Sequence, residues 1–457
     1  MLENEVFIRE DLYDELEKNK WQFAHIIMIA TKPDIVKQAP LYQELKKRWL
    51  LTILVHTWQH YDYNLSAWVL NEFQMTVDVN LNISWTIHDK YAQIVKRFWD
   101  FIVDINQKFE ITPIPYVHGD TLTATTADKA SFLNKFWVVH VEAWIRTFTP
   151  KKEFFDKLFK DFEAWNFSWD DYYNSLHDKN IYELGSSEPY PEQFDTRWIE
   201  GSAWVYALPH EIYKETLKNE WFLEEKMFVV WNTVVDAVEI SRKKESESKA
   251  FEIYPTMKNK DFIFITIHRR ENCENKNRFL SLFYAIKDLV QSWVYICFLE
   301  LNASKQAIIR YWLQDELNDL IKNYPNNFAY WPALAHHNEV IDMISKAWAV
   351  VTDSWSMQEE ANIVWTPCVT LRFWSDRTET ILAWANIIAP PVNSKLISKI
   401  ISWSIANKKM KKENIYWNDV SKKIVDSVEL MLKKYDTLFV MDDKRLDLEK
   451  YFNFKID

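Results

Sequence analysis

The chain is predicted to be an α/β protein built of two Rossmann-like, doubly wound domains facing across a cleft. Three observations carry that prediction. Short apolar runs of strand length end in polar residues and are each followed by a helical stretch. This strand–helix series runs twice, with a linker rich in Lys, Glu and Ser (Ser241–Lys249) between the two. At 457 residues the chain can bury two cores.

Taken in order, residues 1–22 are charged and read as a helical or loose extension. His25–Ile29 reads as the first buried strand, and Pro33 suits the first turn of the helix after it. Leu51–His56 and Ile114–His118 read as strands, with helices between them up to about Gln107. The strand piece Val139-His140-Val141-Glu142-Ala143 follows, joined to Ile114–His118 by a crossover helix over Leu122–Phe136. Residues 148–190 are aromatic and poorly periodic, and are expected to be an insertion in the first domain, as a helical subdomain, a lid or a simple surface insertion. Trp204–Ala207 and Met227–Val230 close that domain, expected over 23–240. The second series, expected over 250–415, reads as strands Phe262–Thr266, Val294–Leu299, Phe328–Trp331, Ala349–Thr352 and Thr366–Arg372. Helices fill most of 396–436, and a helix with a charged tail is expected over 416–457.

Composition narrows the function. A net charge of −11 argues against wrapping nucleic acid but allows a phosphate-bearing ligand held by a few local cations. Cys273, Cys297 and Cys368 lack the spacing of a disulfide framework or a zinc site. With neither a signal-peptide pattern nor an apolar run of membrane-spanning length, the expected compartment is the cytoplasm.

One feature of the composition is anomalous. The chain has 3 Gly and 24 Trp, where average usage would give roughly 32 glycines. Many tryptophans stand at turn-like positions: Trp58 before Gln-His, Trp355 in Asp-Ser-Trp-Ser, Trp365 before Thr-Pro, Trp384 before Ala-Asn. Tryptophan cannot take positive φ cheaply and glycine can. Most tryptophan positions are therefore expected to be glycine in the living protein, through a UGA codon that the source reads as Gly. Trp169 and Trp198, in aromatic surroundings, are expected to be genuine.

Candidate chemistry collects at strand ends. Asp120 and Glu142 would project from adjacent parallel strands into one crevice, which suits acid/base work. Lys32 and Lys37 follow the first strand, where a helix N-terminus can meet an anion. His268-Arg269-Arg270-Glu271 ends the first strand of the second series. Asp353-Ser354-Trp355-Ser356 opens a helix whose free N–H groups would cradle an anion, given glycine at 355.

The motifs recur in a known order. Ala30–Lys37, His118–Thr121, His140–Thr147, Pro191-Glu192-Gln193, Trp231–Ala237, His268–Glu271 and Asp353–Ala361 together resemble the non-hydrolysing UDP-N-acetylglucosamine 2-epimerases, over about residues 24–415. Trp144, Trp231 and Trp355 fall on glycines of that family's motifs. The resemblance implies a GT-B-type architecture, a cytoplasmic homodimer, a place in cell-envelope polysaccharide synthesis, and no metal or nicotinamide. It implies interconversion of UDP-N-acetylglucosamine and UDP-N-acetylmannosamine by elimination of UDP to a glycal and re-addition. By position, Asp120, Glu142 and Glu192 would be the acid/base carboxylates. Lys32, Lys37, His268 and Arg269 would meet the diphosphate, Ser354, Trp355 and Ser356 would cradle it, Glu360 would take the ribose hydroxyls, and Arg372 and Arg377 would complete the pocket.

Departures from the family pattern are Lys32 for its arginine, Gln193 for its second glutamate, Asp195-Thr196 for Asn-Arg (with Arg197 adjacent), and Ser356 for its second cradle glycine. Gln59-His60-Tyr61 and Glu300 depart from the family residues in the region where bacterial members bind a second, activating UDP-N-acetylglucosamine. The alternative reading is a glycosyltransferase or a hydrolysing epimerase on the same scaffold.

Overall fold

The computed structural model describes residues 6–57, 63–83, 87–184, 192–332, 334, 336–406, 409–412 and 414–434. Residues expected at Trp58–Asp62, at Pro189–Pro191 and in the tail 437–457 lie outside the described residues. The strands in chain order are β1 (Phe7–Ile8), β2 (Phe23–Ile29), β3 (Thr52–His56), β4 (Val79–Asn80), β5 (Thr112–His118), β6 (Val138–Val141), β7 (Phe148–Pro150) and β8 (Tyr182–Leu184). They continue as β9 (Ala203–Leu208), β10 (Met227–Val229), β11 (Phe262–Thr266), β12 (Tyr295–Glu300), β13 (Phe328–Pro332), β14 (Ala349–Thr352), β15 (Cys368–Thr370) and β16 (Asn386–Ile388).

One sheet runs in the order β1-β4-β3-β2-β5-β6-β9-β10 and another in the order β13-β12-β11-β14-β15-β16. Within these two sheets all pairs are parallel except β1 with β4, and β7 and β8 form a separate antiparallel pair. Both are doubly wound α/β sheets. Their strands are buried on both faces, which is why they read as continuous apolar runs rather than alternating ones. The chain divides into two compact units, residues 1–144, 194–233 and 419–457, and residues 145–193 and 234–418.

Local sequence explains the elements next to the candidate residues. Thr31 caps helix Lys32–Lys47 in a capping box with Asp34, with proline in its first turn. Thr121 caps helix Leu122–Leu133 by accepting from the Ala124 N–H at 3.1 Å. Residues 6–18, read as part of a helical or loose extension, include the helix Leu12–Lys18 and also complete the first sheet. β1 pairs with β4, Val6, Leu12 and Leu16 enter its core, and Arg9 meets the buried Asp78 at 2.8 Å. A two-residue edge strand is too short to show a period, so its partner decides it.

Segment 145–193, read as part of the first domain, packs with the second unit. Phe155, Leu158, Tyr172, Tyr173 and Leu176 join the core of the second sheet, and the Tyr172 hydroxyl donates to the Ile388 carbonyl at 2.7 Å. Contacts far apart in sequence settle that membership, and no periodicity encodes them. Conversely, helix Val420–Lys434 returns to the first unit, where Arg48 bridges to Asp426 and Glu429 at 2.7 and 3.0 Å.

The backbone at the tryptophans is unusual. Among the described residues, Trp21, Trp49, Trp144, Trp165, Trp221, Trp231, Trp293, Trp312, Trp365 and Trp384 all have φ between 55° and 73°. Seven of these follow a helix end in one pattern. At Trp49 the residue's own N–H bonds to the Lys46 carbonyl at 3.0 Å, and the next N–H, of Leu50, bonds to the Leu45 carbonyl at 3.2 Å. Trp165, Trp221, Trp293, Trp312, Trp365 and Trp384 repeat it. This is the Schellman termination, whose left-handed residue is usually glycine. Trp49, Trp165, Trp221 and Trp312 are 95%, 95%, 93% and 90% exposed, so no packing offsets the strain. By contrast, Trp169 stacks edge-on with Phe167 at 4.3 Å, and Trp198 lies 4.7 Å from Phe194, both with ordinary backbone.

The expected outcome is that peptides of the natively made protein carry glycine at these seven helix ends. Changing Trp49, Trp165, Trp221 and Trp312 to glycine should raise stability by about 1 kcal/mol each, the cost of left-handed backbone for an L-residue. Guanidinium unfolding measures this, and a loss of stability would refute it.

Candidate active site

In the first unit, parallel β5 and β6 bring their ends together, with His118 opposite Val141. Gly119 then turns with φ 62°, and its N–H donates to the Val141 carbonyl at 2.8 Å. Asp120, two residues past β5, and Glu142, one residue past β6, are both buried. Glu142 itself has φ 59°, a strained conformation for a glutamate and of the kind found at working sites. Its carboxylate is held from two sides, by the Lys37 ammonium at 2.7 Å and by His118 Nε2 at 2.7 Å. His118 also faces Asp34, whose carboxyl burial leaves raised although the His118 charge, the Thr31 hydrogen bonds and Lys37 pull it down.

Lys37 was expected at a diphosphate. It is fully buried on Glu142 instead, because the second turn of helix Lys32–Lys47 faces β6 rather than solvent. Lys32, one turn earlier, is half-buried. Behind the site, Trp144 is enclosed against Phe222, their ring centroids 4.7 Å apart.

In the second unit, Asp353 at the end of β14 is the centre of the site. It is fully buried and accepts from the His268 and Arg269 N–H groups at 3.0 Å and from Asn272 Nδ2 at 3.0 Å. His268 Nδ1 lies 3.2 Å away. Burial alone would raise its carboxyl, but the His268 charge and hydrogen bond, Arg372 and the backbone N–H groups outweigh burial and hold it well below the usual carboxylate range. Asp353 thereby fixes the loop that carries His268 and Arg269. Arg269 in turn donates to Glu192 at 3.0 Å. Glu271 is pushed up by burial, with Arg372 and Arg269 opposing.

Helix Trp355–Ile363 begins beside this loop with Ser354 as its N-cap residue, leaving N–H groups at its start. The Trp355 indole sits over two guanidinium groups, of Arg269 at 5.5 Å and Arg377 at 5.0 Å. Ser356 is half-buried on the same turn. Arg372 and Arg377, expected to line a pocket, are both buried in ion pairs. Arg372 meets Asp376 and Arg377 meets Glu359, each at 2.8 Å, because the chain turns back under the helix there. Arg372 Nη2 is buried and bonds to no described residue. Asp376 also accepts from Thr147 at 2.6 Å.

Two departures gain a physical reason. Gln193 accepts from the Thr147 N–H and donates to the Ile145 carbonyl, both at 3.3 Å, and a glutamate could not donate to that carbonyl. Glu300 pairs with Lys305 at 2.7 Å.

The structure thus joins Glu142 and Lys37 in the first unit, with Asp120 buried past the end of the neighbouring strand, and Glu192, His268, Arg269, Trp355 and Arg377 in the second. Sequence reading missed His118 as the second partner of Glu142, and Asp353 and Asn272 as the scaffold of the His268 loop. Their signal was present, since His118 and Asp353 stand inside motifs and Asn272 directly follows one, but their partners lie 24 to 85 residues away. Among the described residues no group of His, Cys, Asp and Glu could hold a metal, and no helix is long and apolar enough to cross a membrane.

Replacing Lys37 by Met should cost about 3–5 kcal/mol, because it strands the buried Glu142 charge. Adding Glu142→Gln should recover part of that loss. Urea unfolding of the single and double variants reads both, and a single-variant cost below about 1 kcal/mol would contradict the pairing.

Comparisons with known proteins identify the family. The family model for UDP-N-acetylglucosamine 2-epimerase matches residues 43–161 and 184–429. It passes over 162–183, within the aromatic segment that packs on the second sheet. The chain is 27% identical over 403 residues to the UDP-N-acetylglucosamine 2-epimerase of Methanocaldococcus jannaschii, covering 86% of this chain and 95% of that one. It is 28% identical over 374 residues to the enzyme of the same name from Campylobacter jejuni, covering 78% and 83%. In structure it is similar to the M. jannaschii UDP-GlcNAc 2-epimerase in complex with UDP-GlcNAc and UDP, with TM-score 0.71, 24% identity, and coverage of 89% of this chain and all of that one. It is equally similar to the Neisseria meningitidis enzyme bound to UDP-GlcNAc, with TM-score 0.71, 23% identity, and coverage of 90% and 100%. The chain belongs to the UDP-N-acetylglucosamine 2-epimerase family.

Proposed function

We propose that this chain interconverts UDP-N-acetylglucosamine and UDP-N-acetylmannosamine. The observation that carries the reading is the pair of buried carboxylates at adjacent strand ends, Asp120 and Glu142, with Glu142 strained and clamped between Lys37 and His118. A site that only binds a nucleotide has no use for such a pair.

In the proposed reaction the C2 proton is taken by a carboxylate as the C1–oxygen bond to the diphosphate breaks, giving a C1=C2 glycal and free UDP. A UDP oxygen then adds back at C1, and C2 receives a proton on its other face. No redox partner enters. Asp120, Glu142 and Glu192 are assigned to proton transfer. Lys37 and His118 hold Glu142 in place rather than meeting phosphate. His268, Arg269 and Lys32 offset the charge of the departing diphosphate, and the N–H groups of Ser354–Ser356 cradle it. Arg372 Nη2, a buried donor without a bond to any described residue, suits the same anion. Glu360 takes the ribose hydroxyls. A cytoplasmic location and a homodimeric state go with this reading, and light scattering reads the second.

Incubation with UDP-N-acetylglucosamine in D₂O should place deuterium at C2 with the UDP-sugar retained. UDP accumulating with C2 still protonated would point to a transferase and overturn the reading. UDP accumulating with free N-acetylmannosamine would point to a hydrolysing epimerase. Asp120→Asn and Glu142→Gln should each lower kcat by about 100-fold or more. Trp355→Gly should tighten UDP binding, because it clears the indole from Arg269 and Arg377 at the helix start.

A further inference from the structure

Behind Glu360 stands a chain of buried polar side chains from three helices. Ser241 is in helix Val234–Arg242, His337 opens helix His337–Lys346, and Glu360 lies in helix Trp355–Ile363. Ser241 Oγ lies 2.7 Å from His337 Nδ1, and His337 Nε2 lies 3.3 Å from Glu360 Oε1. All three are buried, at 1%, 4% and 5% exposure.

The contacts suit one tautomer. A neutral imidazole has one acceptor nitrogen and one N–H. The Ser241 hydroxyl donates to Nδ1, and Nε2–H then donates to the Glu360 carboxylate, a charge-assisted bond. Serine, histidine and an acid in contact also invite comparison with a hydrolytic triad. The wiring is the reverse of one, because there the serine meets Nε2 and the acid Nδ1. Ser241 is also too buried for a substrate to reach.

A carboxylate otherwise has several rotamers and two equivalent oxygens. Held at one oxygen, it presents the other in a fixed direction. We infer that His337, oriented by Ser241, is a positioning residue that aims the Glu360 carboxylate at the ribose hydroxyls of the nucleotide. His337 would thereby set the discrimination between a ribonucleotide and its deoxy analogue. The inference rests on the assignment of Glu360 to the ribose.

The test is calorimetric binding of UDP and of 2′,3′-dideoxy-UDP to the full chain. The unmodified protein should bind UDP at least about tenfold tighter, the worth of one charge-assisted hydrogen bond. His337→Phe should bring that ratio close to one while leaving affinity for the dideoxy analogue unchanged. His337→Gln, which keeps a donor near Nε2, should restore most of the ratio, and Ser241→Ala should lower it severalfold. If the unmodified protein does not discriminate, the ribose assignment of Glu360 fails and the inference with it. If it discriminates and His337→Phe does so equally, the assignment stands and the positioning role is overturned. Equal loss of affinity for both nucleotides in the Phe and Gln variants would mean a packing role only, and would also overturn it. Should His337→Phe not fold, the Gln and Ser241→Ala ratios decide alone: an unchanged ratio in Ser241→Ala overturns the inference.

Discussion

Left-handed backbone at the ends of helices and strands is the constraint on which the rest of this structure depends. Seven helices stop by the same pair of hydrogen bonds, with a tryptophan where the chain must take positive φ. The same conformation recurs at Gly119, Glu142 and Trp144, where the strands bearing the candidate carboxylates end. Many helix ends in a doubly wound sheet use such turns, and glycine takes them with the least strain. The composition of the chain and the shape of its backbone are therefore at odds wherever tryptophan holds the turn. The exposed indoles at Trp49, Trp165, Trp221 and Trp312 contribute no burial to offset it.

Each unit then organises its polar residues around one buried carboxylate. In the first, Glu142 draws in Lys37 and His118. In the second, Asp353 draws in two backbone N–H groups, Asn272 and His268. Burial makes both arrangements obligatory, since an uncompensated carboxylate in the interior is costly and each must be met by donors or cations. The result is a set of polar groups whose directions are fixed before any ligand arrives, which is what transition-state stabilisation requires.

The core strands were legible in the sequence because they are buried on both faces and read as unbroken apolar runs, as Phe262–Thr266 and Ala349–Thr352 show. Short strands such as Phe7–Ile8 and Val79–Asn80 were not, since two residues carry no period and their partners decide them. Asp120 and Glu142 were legible as a pair from the βαβ spacing. Lys37 was legible as a cation near the first strand, but its inward direction was not, because it depends on how its helix sits on β6.

By itself the sequence determined the two α/β series, the order of the motifs, the family they resemble and the shortage of glycine, all of which are local pattern or composition. Only the tertiary structure decided that Lys37 and His118 clamp Glu142, that Asp353 holds the His268 loop, that segment 145–193 belongs with the second sheet and that Ser241 and His337 stand behind Glu360. Each of these joins residues distant in sequence, and hydrogen-bond direction and burial are properties of the packed chain rather than of any segment.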